Sequence, residues 1–319
     1  MGTIRVPEIV PPPADDCLRL KKAFEGLGTD EEGVIWVLGR RNATQRKQIT
    51  EAYQHLYKAS LLDRINSELS GDFKKAVLLW VYDPAERDAR LIREALKATK
   101  KRVKQLEVLV EVACTTPPTH LVAVRKAYSL LFHSSIEEDI HSNVASAALR
   151  KLLVGLVSSF RYDGEVVDTN LAISEAVELY KCIKARLFQS NRFLWILSTR
   201  NVFQLRETFE CYHRSFKNPI EQDIKSSGKG DLETVLSLVA RCIHKPEMHF
   251  AEVIREAIIG IGTDEDSLTR AIVTRAEVDM VKIKTAYSEM YKSTVESAVD
   301  GDTSGDYKAF LMTLLGTRL

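Results

Sequence analysis

Apolar residues along the chain recur at helical spacing wherever there are enough of them to show a pattern. The segment that contains Val34, Ile35, Val37 and Leu38 is typical, since its apolar positions fall on one side of an α-helix. Sustained alternation of apolar and polar residues, which would indicate strands, is absent from the sequence. The pattern predicts an all-α protein whose short helices are separated by breaks at Gly, Asp, Asn or Ser.

The same arrangement of apolar positions occurs four times. In each copy a tyrosine is followed, at steps of four residues, by an aromatic residue and then by two aliphatic residues. The four series are Tyr53-Tyr57-Leu61-Ile65, Tyr128-Phe132-Ile136-Ile140, Tyr212-Phe216-Ile220-Ile224 and Tyr287-Tyr291-Val295-Val299. An arginine stands at a fixed distance before the tyrosine in three copies, whereas the second copy has Thr116 there. Four related units of several helices each predict about twenty helices in all.

The segments between the copies indicate the domain boundaries. Residues 1–14 are rich in proline, and we expect them to form an extended, weakly ordered tail. The interval between the second and third tyrosines is longer than the other two, and it contains a polar segment, 158–168, which we expect to be a linker that divides the chain two plus two. The expected repeats, numbered one to four, are 15–85, 86–157, 169–245 and 246–319.

A helical solenoid that binds other proteins is the main alternative for a helical repeat. The distance between successive copies is longer than the periods of TPR, ankyrin or HEAT repeats. The solenoid families with short periods are therefore disfavoured.

The composition restricts the function further. Of 319 residues, 45% are hydrophobic, and 45 Lys and Arg nearly balance 44 Asp and Glu. The net charge of +1 supplies no general attraction for nucleic acid or for an anionic surface, so an anionic partner must be held locally. The longest apolar run, 76–81, is far too short to span a bilayer. Five cysteines without a CxxC pair favour a reducing compartment, and we expect a cytoplasmic protein with no nucleic-acid partner.

Two loops, 24–32 and 258–266, share a pair of glycines followed by Thr-Asp-Glu. The glycines permit a tight backbone that turns its carbonyl oxygens toward a single point. A helix is expected to begin after each loop with a capping box, formed by Thr29 with Glu32 and by Thr263 with Asp266. An ordinary helix-loop-helix turn explains one such loop, but two copies with matching flanks favour a binding site.

Each loop has an acidic residue at the same distance downstream, Glu68 for the first and Asp302 for the second. Backbone carbonyls together with one bidentate carboxylate suit a hard cation with oxygen ligands, which favours Ca²⁺ over zinc. So few protein charges would hold the ion weakly. Water or a phosphoryl oxygen of a lipid headgroup would complete the ligand shell, so a membrane is the natural second ligand.

These features resemble the annexin family, and the tail motif Arg5-Val6-Pro7-Glu8 resembles its plant branch. The resemblance covers residues 15–319. It implies four five-helix repeats packed into a curved disc, with calcium loops on the convex, membrane-facing side. The metal ligands that it implies are Phe24, Gly26, Gly28 and Glu68 in repeat one, and Ile258, Gly260, Gly262 and Asp302 in repeat four. Leu27 and Ile261 would be the loop-tip residues that dip toward lipid.

Repeats two and three depart from this pattern. Their loop positions are occupied by 97–102 and 181–186, neither of which contains glycine. The acid is replaced by Asn143 in repeat two, and repeat three has Ser226 and Ser227 near that position. We therefore expect calcium binding in repeats one and four.

Both altered loops are basic. Near an anionic leaflet, each lysine or arginine contributes about 1 kcal/mol to binding, so fixed charge is expected to replace the metal there. The expected membrane contacts in repeat two are Lys100, Lys101 and Arg102, and repeat three offers Lys181, Lys184 and Arg186. The alternative is that these residues are solvated helix ends.

Other kinds of site fit the sequence less well. The segment 300–311 matches an EF-hand loop at several positions, but Leu311 stands where the closing bidentate glutamate is required. A DxxG match at 302–305 overlaps the expected calcium ligand, and no phosphate-binding GxxxxGK[ST] loop exists. The histidine tied to peroxidase activity in plant annexins is replaced by Arg40. We therefore expect no enzymatic activity.

Two further sets of residues match features ascribed to annexins. Cys114 and Cys242 match a cysteine pair proposed to support redox chemistry, although small buried hydrophobic residues are an equally good interpretation. Asp88, Glu111 and Arg270 match charged residues that line the hydrophilic centre of the annexin disc. A buried structural ion network is the expected role of these three residues.

The sequence therefore predicts calcium-dependent binding to anionic phospholipid membranes by a protein that is monomeric in solution and attaches peripherally when calcium rises. One alternative is a helical scaffold for partners such as the cytoskeleton, although the Ile-Arg-Ile actin motif of some plant annexins is absent. Another is weak nucleotide hydrolase or peroxidase activity.

Overall fold

A computed structural model of the chain describes residues 1–26, 28–98, 102–260 and 262–317, with Arg102 described by its backbone alone. The described residues form twenty α-helices and no strand. This confirms the all-α fold and the number of helices predicted from the apolar periodicity. Within the described ranges, no helix is both long enough and apolar enough to cross a bilayer.

Each repeat contains five helices. Repeat one has α1 (Pro13–Ala23), α2 (Glu31–Leu38), α3 (Ala43–Tyr57), α4 (Leu61–Glu68) and α5 (Gly71–Val81). Repeat two has α6 (Pro84–Lys97), α7 (Arg102–Thr115), α8 (Pro118–Phe132), α9 (Ile136–Asn143) and α10 (Ala147–Ser158). Repeat three has α11 (Thr169–Lys184), α12 (Asn191–Thr199), α13 (Val202–Phe216), α14 (Ile220–Ser227) and α15 (Asp231–His244). Repeat four has α16 (Pro246–Ile258), α17 (Glu265–Arg275), α18 (Met280–Tyr291), α19 (Val295–Asp302) and α20 (Gly305–Leu314).

The repeated aromatic pair has one geometry in all four repeats. The tyrosine and the aromatic residue four positions later make an edge-to-face contact, with ring centroids 4.8 to 5.0 Å apart. The third helix of each repeat then ends at a residue in the left-handed region, with φ between 52° and 67°, namely Lys58, His133, Lys217 and Lys292. This ending stops the helix and turns the chain into the fourth helix, which carries the acid position.

The chain forms two compact units, and the boundaries between them do not lie in the expected linker. Unit one is Met1–Pro84 with Glu247–Leu319, and unit two is Ala85–Pro246. Repeat one therefore packs with repeat four, and repeat two with repeat three. Residues 159–168 lack a helix, but Arg161 among them is buried and donates to the carbonyls of Leu197 and Arg200 inside unit two. The boundaries of the two units therefore lie elsewhere in the chain than this segment.

Unit one has its own core, in which α5 packs against α17 and α20. Trp80 is fully buried there, donates its indole N–H to the Leu38 carbonyl at 2.8 Å, and lies under the Arg46 guanidinium. Arg46 also donates to Glu277 at 2.8 Å, which ties repeat one to repeat four. Unit two has a separate core, in which α7 packs against α15 and α11 against α13.

Residues 1–12 of the proline-rich tail form neither helix nor strand, whereas its last two residues belong to α1, and the expectation that the tail is weakly ordered is wrong. The Thr3 amide donates to the Ala276 carbonyl at 2.7 Å, and the Val281 amide donates to the Met1 carbonyl at 3.1 Å. The Thr3 hydroxyl donates to the Leu314 carbonyl at 2.6 Å. The tail is therefore bound to repeat four by backbone hydrogen bonds that the sequence pattern does not reveal.

Candidate calcium sites

The loop of repeat one connects α1 to α2 through two glycines with φ of 131° at Gly26 and 94° at Gly28. Only glycine adopts such values without strain, so the two positions explain the Gly-x-Gly pattern. The Asp30 amide closes the loop by donating to the Ala23 carbonyl at 2.9 Å. This hydrogen bond holds the end of the loop against the last residue of α1.

The described residues of the loop in repeat four have a similar conformation. Gly260 and Gly262 have φ of 122° and 88°, and the Asp264 amide donates to the Ala257 carbonyl at 2.7 Å. Among the described residues, no hydrogen bond is made to the carbonyl oxygens of the four loop glycines. These oxygens are available to a cation.

The N-caps of the helices after the loops differ from the expectation. Asp30 and Asp264, and not Thr29 and Thr263, are the N-cap residues, and they accept from the amides of Gly33 and Ser267 at 2.9 and 3.1 Å. The expected capping boxes with Glu32 and Asp266 are therefore wrong. An aspartate carboxylate caps a helix well, and this leaves each threonine hydroxyl for another contact.

Each threonine hydroxyl connects its loop to the helix end that carries the acid. Thr29 Oγ1 donates to the Glu68 carbonyl at 3.2 Å. Thr263 Oγ1 lies 3.1 Å from the Asp302 carbonyl and 2.7 Å from the Asp302 carboxylate. The structure therefore brings each predicted acid to its predicted loop, although they lie far apart in sequence.

The donor set fits a hard cation. Glu68 and Asp302 are the last residues of α4 and α19, and both line one cleft of about 360 Å³ within unit one. Every predicted ligand atom is an oxygen, which Ca²⁺ prefers. The cleft is rich in carboxylates, since Glu31, Asp72, Glu265 and Asp306 also line it, and it therefore favours positive charge. Lys75 lies 3.2 Å from Asp72 of this lining and 3.2 Å from Asp266, and these hydrogen bonds raise its pKa.

Arg64 was not among the residues that sequence reasoning selected, yet it contacts the first site. Its guanidinium lies 3.3 Å from the Glu68 carboxylate and donates to the Phe24 carbonyl at 3.3 Å. The sequence does contain a signal for Arg64, because it lies directly before Ile65 of the repeated series. Repeats two and three have aspartate at this position, and repeat four has alanine.

Repeats two and three have no comparable acid at the end of the fourth helix. The Asn143 side chain donates to the Asp139 carbonyl at 2.8 Å, and the Ser227 hydroxyl donates to the Asp223 carbonyl at 2.6 Å. Both groups therefore bond to their own helix. In the loop of repeat three, Arg186 adopts a left-handed conformation with φ of 55°.

Several predicted membrane contacts lie outside the described residues. Leu27, Ile261, Lys100 and Lys101 are not described, nor is the side chain of Arg102. Their expected contact with lipid stays a prediction.

The cysteines of unit two are buried. Cys114 and Cys242 are 4% and 0% exposed, and neither forms a disulfide. Burial raises the pKa of the Cys114 thiol to about 11, so this group is protonated at neutral pH.

The three charged residues expected in an ion network are all buried. Asp88 accepts from Arg87 at 2.8 Å and lies 2.7 Å from the His120 imidazole. Burial opposes ionisation of Asp88, but Arg87 and His120 outweigh it and lower the pKa of the carboxyl. His120 is a partner of Asp88 that the sequence did not indicate. Glu111 belongs to unit two and Arg270 to unit one, and both side chains are buried.

Four segments of the chain, 15–80, 87–156, 174–239 and 249–314, match the sequence model of the annexin family. The chain therefore belongs to the annexin family, whose general property is calcium-dependent binding of phospholipid. Within that family it is of the plant type. It is 49% identical to Annexin D3 of Arabidopsis thaliana over the full length of both chains, and 45% identical to Annexin-like protein RJ4 of Fragaria ananassa over 95% of each.

Solved structures agree with this assignment. The fold matches annexin III with a TM-score of 0.91 at 32% identity, over 99% of this chain and 97% of the other. It matches calcium-bound annexin (Sm)1 with a TM-score of 0.84 at 27% identity, over 97% of this chain and 91% of the other. The fold of four annexin repeats is therefore confirmed.

Proposed function

We propose that this protein binds anionic phospholipid membranes through Ca²⁺ ions held in repeats one and four alone. The observation that carries the proposal is the meeting of a glycine loop with a carboxylate in those two repeats. The ligands in repeat one are the carbonyls of Phe24, Gly26 and Gly28 with the Glu68 carboxylate. In repeat four they are the carbonyls of Ile258, Gly260 and Gly262 with the Asp302 carboxylate.

The membrane enters this proposal as part of the ligand shell. One carboxylate and a few carbonyls leave coordination positions open on an ion that takes six to eight oxygens. Phosphoryl oxygens of lipid headgroups are suitable ligands for those positions, and Leu27 and Ile261 at the loop tips would contact lipid. Attachment is therefore peripheral and reversible, and we place it in the cytoplasm when calcium rises.

A sedimentation experiment tests the proposal. The protein is mixed with phosphatidylserine vesicles in calcium or in chelator, and phosphatidylcholine vesicles serve as the neutral control. At physiological ionic strength, which screens the basic loops of repeats two and three, we expect cosedimentation with the anionic vesicles in calcium and its loss in chelator. A protein that stays in the supernatant under all conditions would contradict the proposal and favour the scaffold alternative.

A further inference from the structure

The first calcium site contains a cation supplied by the protein itself. The Arg64 guanidinium contacts two of the ligands proposed for Ca²⁺ in repeat one, the Glu68 carboxylate through Nη1 and the Phe24 carbonyl through Nη2, each at 3.3 Å. These two groups approach the site from different elements, since Phe24 follows α1 and Glu68 ends α4. One guanidinium therefore bridges the same two elements that the metal would bridge.

The three other repeats have a different residue at the position that corresponds to Arg64. Asp139 and Asp223 occupy it in repeats two and three, and each accepts a hydrogen bond from the repeated tyrosine, Tyr128 or Tyr212. Repeat four has Ala298 there. Each fourth helix thus presents this position to the interior of its repeat, beside the tyrosine.

The surroundings of the repeated tyrosine show the same difference between repeats one and four. Burial raises the pKa of Tyr53, and the adjacent Arg64 guanidinium opposes that effect. The hydroxyl of the equivalent Tyr287 is buried and has no hydrogen-bond partner among the described residues. Among the described residues, repeat four therefore has no side chain that takes the place of Arg64.

We propose that Arg64 occupies the cation position of repeat one in the calcium-free protein, so that repeat four takes up Ca²⁺ first and repeat one follows at higher calcium. This inference rests on the proposed function, because it concerns the order in which the two proposed sites fill. In repeat four the Asp302 carboxylate is held by the neutral Thr263 hydroxyl at 2.7 Å, and in the part of the chain that the structure describes no charged side chain pairs with it that Ca²⁺ would have to displace. In repeat one the metal must first displace a guanidinium from its carboxylate.

The expected size of the effect follows from the exposure of the pair. The side chains of Arg64 and Glu68 are 38% and 28% exposed, so water screens their attraction. An ion pair of this kind changes an equilibrium by up to about fivefold. Arg64 is therefore a weak competitor that sets an order of filling without closing the site.

Each site is measured in a variant in which the acid of the other site has been substituted. Asp302→Asn leaves repeat one as the site measured, and Glu68→Gln leaves repeat four. Calcium titration by calorimetry, without vesicles, gives the affinity of each site. We expect Asp302→Asn/Arg64→Ala to bind Ca²⁺ more tightly than Asp302→Asn, by up to about fivefold. Arg64→Met, which keeps the aliphatic part of the side chain, is a second variant with the same expected result.

Repeat four supplies the reciprocal experiment and the control. In the Glu68→Gln background, Ala298→Arg is expected to weaken calcium binding by a similar factor, whereas Arg64→Ala is expected to leave it unchanged. The thermal midpoint of each variant in chelator shows that it is folded.

The outcomes separate this inference from the proposed function. If Asp302→Asn binds Ca²⁺ equally well with and without Arg64, or less well without it, the competition is refuted and the site assignment stands. If that background binds no Ca²⁺ even without Arg64, whereas the Glu68→Gln protein binds, the assignment of a site to repeat one is itself refuted.

Discussion

One threonine hydroxyl links each proposed calcium loop to the residue that supplies its acid. Thr263 contacts both the carbonyl and the carboxylate of Asp302, whereas Thr29 contacts only the carbonyl of Glu68. The threonine of the Gly-Thr-Asp-Glu pattern therefore holds the loop against the helix that carries the acid. The aspartate that follows it begins the next helix.

Thr263→Val tests this role because valine keeps the shape of the side chain and removes the hydroxyl. Loss of a hydrogen bond worth about 1 kcal/mol should weaken calcium binding in repeat four by about fivefold. Thr29→Val should have a smaller effect on repeat one, because Thr29 does not contact the carboxylate. Calcium titration by calorimetry measures both.

Thr285→Val is the matched control, since the Thr285 hydroxyl is exposed and bonds only to its own helix. It should leave calcium affinity unchanged. Equal calcium affinities for wild type and Thr263→Val would show that the hydroxyl does not organise the site.

At the scale of the element, the amino-terminal tail is held against repeat four where its backbone fits closely. A Cβ atom at Gly2 would lie 2.5 Å from the Ala276 carbonyl oxygen and 2.8 Å from the Glu277 backbone. Glu277 in turn accepts from the Ala43 amide at 2.7 Å and from Arg46 at 2.8 Å. The tail therefore packs on the residue that joins repeats one and four.

Gly2→Ala should displace the tail, because backbone atoms cannot move aside as a flexible side chain does. We expect faster hydrogen exchange at the Thr3 and Val281 amides, and little change in the interior of α18. Gly301→Ala, at a glycine with open space around it, is the control and should leave exchange at both amides unchanged. Protection that survives Gly2→Ala would show that the tail does not depend on this contact.

The helices could be predicted from sequence because their signals are local. The apolar spacing around Tyr53 and its three equivalents predicts the helices, and the glycine loops with Glu68 and Asp302 predict the sites. The docking of the tail and the pairing of repeat one with repeat four could not be predicted, because they depend on contacts between distant residues. The contact of Arg64 with the first site could not be predicted for a related reason, since it depends on the direction in which the side chain points.

At the scale of the whole molecule, calcium and membrane should bind cooperatively. If lipid oxygens complete the ion's shell, vesicles must raise calcium affinity by the same factor by which calcium raises vesicle affinity. Calorimetry with and without phosphatidylserine vesicles measures this. We expect tighter calcium binding in the presence of vesicles, whereas equal affinities would mean that the protein alone completes the shell.

The central claim is that the two acids Glu68 and Asp302 hold the ions that attach this protein to membranes. Its most direct test is sedimentation of Glu68→Gln/Asp302→Asn with phosphatidylserine vesicles in calcium. Asn143→Ala/Ser227→Ala, at the equivalent positions of repeats two and three, is the control. We predict that the first variant loses calcium-dependent binding while its unfolding midpoint in chelator stays close to that of wild type, and that the control binds as wild type does. Calcium-dependent sedimentation of the first variant at the wild-type level would contradict the assignment.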